Sequence, residues 1–101
     1  MTSDVEKYLF GSFGTHALVS FLLDKGQLKL TIAPWTDLSK TKVFLFENGK
    51  IMSTEALSEG NLPFDIIGID HSKVASDIWR FCIHCSEREY VFEGKWPVRL
   101  E

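Results

Sequence analysis

Cys82-Ile83-His84-Cys85 brings two thiols and an imidazole within four residues of a 101-residue chain. These are zinc-binding donor types, and His16 or His71 would have to supply a fourth ligand. Zinc sites take a Cys-x2-Cys pair from a tight turn that converges both sulfurs. Here the surrounding pattern is that of a strand. Trp79, Phe81, Ile83 and Cys85 alternate with Ile78, Arg80, Cys82 and His84, a period of two. That parity sends Cys82 and His84 to one face and Cys85 to the other. It opposes both a shared metal and a disulfide. The expectation is two reduced thiols, no metal, and a cytoplasmic compartment.

Nucleophilic or acid–base chemistry is no better supported. His16 can be set beside Asp65 or Asp70 with a Ser or Cys on paper, as in any chain with three histidines. No nucleophile elbow, phosphate-binding glycine loop or H-E-x-x-H pattern is present. The glycines Gly26, Gly49, Gly68 and Gly94 stand singly at turn positions. The chain is therefore expected to be neither an enzyme nor a cofactor protein.

Charge is more informative. The net charge of −3 has the wrong sign for direct nucleic-acid binding. Residues 25–50 carry Lys25, Lys29, Lys40, Lys42 and Lys50 against Asp37 and Glu47, a balance of +3. Residues 55–93 carry eight acids against Lys73, Arg80 and Arg88, a balance of −5. Such an asymmetry steers a basic protein partner; the competing reading is a solvated rim. Asp65, Asp70, Asp77, Glu87 and Glu89 lie near expected strand ends, and Asp65, Asp70, Glu87 and Glu89 are the candidate contact residues. Trp35 and Trp96, in Pro-containing turns, are the candidate aromatic anchors. Core packing is the alternative for both, and the favoured reading for Trp79.

The elements that would position these residues are mostly strands of a single domain, residues 1–101. The chain is 45% hydrophobic with 13 aromatics, enough for one core. No apolar run approaches the roughly 20 residues of a membrane span, and the acidic start at residues 1–6 lacks the features of a signal peptide. Ser3-Asp4-Val5-Glu6 fits a capping box, and Gly11 can stop the short helix it opens. Residues 17–24, with Val19, Phe21 and Leu23 on one face, pair through Lys25-Gly26 with the alternation Leu28, Leu30, Ile32. Val43, Phe44, Leu45 and Phe46 suggest a central strand. Asn48-Gly49 signals a hairpin returning over residues 50–54. A loop or single helical turn follows, then an edge segment over residues 62–70 that Pro63 keeps from the sheet centre, then a polar turn over residues 71–76. Residues 77–94 form the main hairpin, with Trp79, Phe81, Tyr90 and Phe92 on its apolar face. Val98 and Leu100 close the chain as an edge strand after Pro97. The fold class expected is α+β, mainly antiparallel β. It is a twisted sheet, sandwich or partial barrel of six to eight strands carrying a short N-terminal helix.

This layout resembles small bacterial immunity proteins of contact-dependent growth inhibition and other polymorphic toxin systems. The resemblance rests on the helix followed by F-G-T-H-A-L (Phe13 to Leu18), the Phe-rich strand at Val43 to Phe46, D-I-I-G-I-D (Asp65 to Asp70) and the W-R-F-C-I … Y-V-F-E hairpin. It implies a cytoplasmic protein without enzymatic activity that binds and neutralises a cognate toxin, often a nuclease. No binding residue carries over by motif. The alternative is a small-ligand-binding β domain with Trp35, Trp79 or Trp96 lining a cavity.

Overall fold

The computed structural model describes residues 15–56 and 62–100. These form eight strands: β1 (His16–Asp24), β2 (Gln27–Pro34), β3 (Lys42–Phe46), β4 (Lys50–Ala56), β5 (Phe64–Ala75), β6 (Ile78–Cys85), β7 (Arg88–Gly94) and β8 (Val98–Leu100). All pair antiparallel in one sheet, in the order β4-β7-β6-β5-β1-β2-β3-β8. No ladder joins β4 to β8, so the sheet is open. No helix among the described residues is long and apolar enough to cross a membrane.

Period-two patterning sets the register where it is clean. In the β6–β7 hairpin Phe81 faces Phe92 and Ile83 faces Tyr90, and all four are buried. In β2 and β3, Leu28 pairs with Phe46 and Leu30 with Phe44 on the same inner face. The β1–β2 link places Lys25 at φ 53 and Gly26 at φ 78, the two left-handed positions of a tight hairpin turn. A register shift between Leu18 and Ser20 displaces Val19. Leu18 and Phe21 therefore reach the core together, while Leu23 is exposed. The expected face of Val19, Phe21 and Leu23 fails because a bulge resets the parity of the strand.

The connection from β3 to β4 decides the shape. Asn48, at φ 55, makes a turn, but β3 pairs with β2 and β8, and β4 pairs with β7. The expected Asn48-Gly49 hairpin is thus not formed. The two strands lie six places apart in the sheet order. In a flat sheet that is about 29 Å at ~4.8 Å per strand. The chain from Phe46 to Lys50 reaches at most about 14 Å. The sheet must therefore curl across its own inner face. Gly49 N–H donates to Gly26 O (2.7 Å) and Lys95 N–H donates to Glu47 O (2.8 Å), tying this crossing to both halves. The aromatic rings seal it: Phe46 stands edge-on to Phe81 (4.9 Å) and Phe92 (5.0 Å), and Phe21 meets Tyr90 at 4.5 Å. Leu18, Leu28, Leu30, Ile32, Phe44, Phe64, Ile66 and Ile83 complete the core.

Several sequence-based expectations need correction. The α+β class does not hold. Among the described residues every element is an antiparallel strand, so the fold is all-β and the N-terminal helix has no support. The capping-box segment, residues 3–11, lies outside the described residues. The loop, or single helical turn over residues 54–57, expected after the return strand gives way to strand as far as Ala56, where β4 ends. The edge segment and the polar turn of residues 71–76 are one 12-residue strand, β5, next to β1 and β6 at the sheet centre. Pro63, which follows a cis peptide bond, stands just before β5 and costs it no ladder bond. The polar residues His71, Ser72 and Lys73 are tolerated in the strand because beyond Asp65 its ladder runs to β6 alone. The β8 edge strand forms as expected, on β3.

Candidate functional site

The outer face of β5, β6 and β7 collects the side chains the core rejects. Register places Asp70 opposite Cys82, and His84 opposite Glu89 and Arg80 opposite Glu93. Directly paired residues bring their Cβ atoms within about 4.5–5.5 Å, close enough for polar side chains to meet. His84 sits between two carboxylates. Its Nε2 lies 2.9 Å from Asp70 Oδ2 and its Nδ1 lies 2.7 Å from Glu89 Oε2. A neutral imidazole can donate from only one nitrogen, whereas the imidazolium donates from both. The hydrogen bond to Asp70, partly opposed by burial and reinforced by Glu89, therefore raises the His84 pKa above its usual value. Arg80 donates to Glu93 Oε2 through Nε (3.0 Å) and a terminal nitrogen (2.7 Å). Counting Asp70, Glu89 and Glu93 against Arg80, the face carries −2 with neutral His84 and −1 with the imidazolium.

Cys82 lies on this face, with Sγ 3.8 Å from His84 Nδ1. Partial burial, then the charges of Glu89 and Asp70, raise its pKa. Cys85 faces the core, as the strand parity predicts, and both cysteines are free thiols. Burial first, then Glu87 and Asp65, push the Cys85 thiol up to about 12. A thiol held so far above its ordinary value has almost no thiolate near neutral pH, and the thiolate is the reactive form. In a native thiol-reagent titration Cys82 should react first and Cys85 stay silent until denaturant is added, when two thiols per chain should appear. Fast reaction of both in the native protein would place Cys85 at the surface.

The residues singled out in the sequence separate into three places. Asp70 and Glu89 meet at His84. Asp65 and Glu87 lie at the turn of the β6–β7 hairpin, just beyond the His84–Glu89 pair, where Ser86 N–H donates to the Asp65 carbonyl and the Ser86 hydroxyl donates to Glu87. Trp35 is 42% exposed, yet its Nε1–H donates to Asp65 Oδ1 at 2.9 Å, which joins one aromatic candidate to one acidic candidate. Trp96 is half-buried in an aromatic group on the inner side. It stands 4.8 Å from Trp79 and 5.2 Å from His71, and Lys73 Nζ covers the Trp79 ring at 5.6 Å. His71 thus faces away from Cys82 and His84, so it cannot complete a metal set with them. His16 Nδ1 pairs instead with the Thr15 hydroxyl at 2.8 Å.

Sequence reasoning did not bring His84, Cys82, Arg80 and Glu93 into one site with Asp70 and Glu89. The outward parity of Cys82 and His84 was legible, but their partners come from β5 and β7. Only the cross-strand register supplies them, and the shift between Ile66 and Gly68 in β5 hides it from simple counting.

In comparisons with known proteins, no family model, no curated protein and no solved structure matches the chain.

Proposed function

We propose that this chain is a cytoplasmic immunity protein that binds and neutralises a cognate bacterial toxin through the outer face of β5–β7. The partner is a basic protein, for which a nuclease is the natural class. The observation that carries this reading is the acidic balance of that face. Asp70 is exposed there with 81% of its side chain open to solvent, and Arg80 is already paired with Glu93. An exposed acidic surface attracts a basic one at long range, speeding encounter and rejecting acidic competitors. The half-exposed Trp35 beside Asp65 is suited to anchor the complex. Resemblance to immunity proteins in the sequence supports the same reading. The ligand-binding alternative has less support: Trp79 and Trp96 pack on each other, and Trp96 on Phe81, filling space rather than lining it.

The test is capture of the partner from a bacterial lysate, followed by surface-plasmon kinetics at two salt concentrations. Exposed charges are screened over ~8–10 Å at physiological ionic strength, so association should slow as salt rises while dissociation changes less. Asp70→Lys and Glu89→Lys should each lower the association rate about tenfold. Lys25→Glu and Lys29→Glu should leave it nearly unchanged. If the lysine reversals weaken binding and the acidic ones do not, the contact face is the opposite one. If no protein is captured, the inhibitor reading fails.

A further inference from the structure

We propose that Cys82, His84 and Glu89 form a binding site for Zn2+ or a similar borderline-soft divalent cation, with Asp70 as the residue that orients His84. The Sγ of Cys82, a ring nitrogen of His84 and a carboxylate oxygen of Glu89 all lie within 4.8 Å of one another. In a tetrahedral site with bonds of about 2.0–2.3 Å, donor atoms stand roughly 3.3–3.8 Å apart. The Cys82 Sγ to His84 Nδ1 distance is already 3.8 Å. The 2.7 Å contact between His84 Nδ1 and Glu89 must open by less than about an ångström, and the Cys82–Glu89 spacing, within 4.8 Å, must settle to the same range; rotation of the Glu89 carboxylate adjusts both. One thiolate, one imidazole and one carboxylate suit zinc and leave the fourth position for water or another exogenous ligand.

A second observation is independent of these three atoms. His84 Nε2, the nitrogen that would not touch the metal, is 2.9 Å from Asp70 Oδ2. A metal-bound histidine characteristically donates its other N–H to a carboxylate, which fixes the ring and raises its basicity. Here that carboxylate comes from a neighbouring strand, across the ladder that also places Cys82. The set is half-buried on the strands of a hydrogen-bonded sheet, which holds the three Cα positions fixed. Binding releases the Cys82 thiol proton and, from the imidazolium form of His84, the Nδ1 proton as well, while the proton on Nε2 stays on that nitrogen and is donated to Asp70. Affinity should therefore fall on acidification. None of this depends on a protein partner, so failure of the inhibitor reading leaves it untouched.

The experiment is titration of the purified, reduced chain with Co2+, a spectroscopic substitute for zinc, followed by Zn2+ competition. The wild-type chain should take up one Co2+ with a thiolate-to-cobalt charge-transfer band in the near ultraviolet, and Zn2+ should displace it. Cys82→Ser should abolish the band. Glu89→Gln should weaken binding at least tenfold with the band kept. Asp70→Asn should weaken it about 10- to 100-fold, again with the band kept. Asp24→Asn, an exposed acid at the end of β1 and outside the set, should behave as wild type. A separate measurement needs no variant: Zn2+ should protect Cys82 of the native chain from alkylation. Absence of a charge-transfer band in the wild type, its survival in Cys82→Ser, or alkylation of Cys82 at an undiminished rate in excess Zn2+ would each overturn the proposal.

Discussion

Phe81→Ala should destabilise the protein by about 3–5 kcal/mol, a large part of the roughly 5–15 kcal/mol that holds a small domain folded. Phe81 is 1% exposed and belongs to both halves of the curled sheet. It stacks on its cross-strand partner Phe92 at 5.3 Å and meets Phe46, from the opposite half, edge-on at 4.9 Å. Truncation removes the ring's burial and leaves a void bounded by Phe46 and Phe92. Those rings are themselves buried and packed, so they cannot collapse inward without losing contacts of their own. Ile67→Ala is the internal contrast. Ile67 lies on the same sheet but is 58% exposed, and its truncation should change stability by no more than about 0.5 kcal/mol. Urea unfolding of the two variants with a shared slope measures both. A near-neutral Phe81→Ala would mean that the two halves do not share this core.

Gly49→Ala should cost about 1–3 kcal/mol, the range for forcing an extra methyl into a packed site. A Cβ at Gly49 would stand 2.8 Å from Leu28 Cβ and 3.3 Å from both Leu28 N and Phe46 O. Two of those three atoms are backbone, and Leu28 is fully buried, so none can swing aside cheaply. The residue is small because the β3-to-β4 crossing passes directly over the start of β2, and Gly49 N–H also donates to Gly26 O in the β1–β2 turn. The melting temperature should fall by roughly 4–8 °C per kcal/mol in a domain of this size. In a simple β3–β4 hairpin Gly49 would instead take a left-handed φ, so Ala would be strained there through its backbone and not through contact with Leu28. An unchanged melting temperature would therefore argue against the close crossing over Leu28.

The strands themselves were largely legible in the sequence. Wherever apolar and polar residues alternate without interruption, as in β2, β6 and β7, the inner and outer faces follow from parity alone. That parity also separated Cys82 from Cys85 correctly. It failed where an extra residue was inserted: the register shifts near Val19 in β1 and Ile67 in β5 exchange faces without leaving a compositional trace. It fails again in β5, whose polar residues 71–73 carry the composition of a turn. A long strand can carry them when one of its edges runs beyond its neighbour.

What the amino-acid order determined by itself is local: the β character, the turn positions, and which side chains share a face of one strand. What the tertiary structure alone decided is pairing. Asn48-Gly49 specifies a turn, but nothing in those two residues says whether the following strand returns beside β3 or crosses to β7. The burial of Phe46 against Phe81 and Phe92 selects the crossing, because it places three rings in one core. Likewise, Asp70, His84 and Glu89 are separated in the chain by 14 and 5 residues. They meet because side chains on adjacent strands stand about 5 Å apart once the ladder register is fixed. A strand's own periodicity sets only which way its side chains point; the neighbours they meet depend on hydrogen bonds to other strands and on the core that those strands enclose.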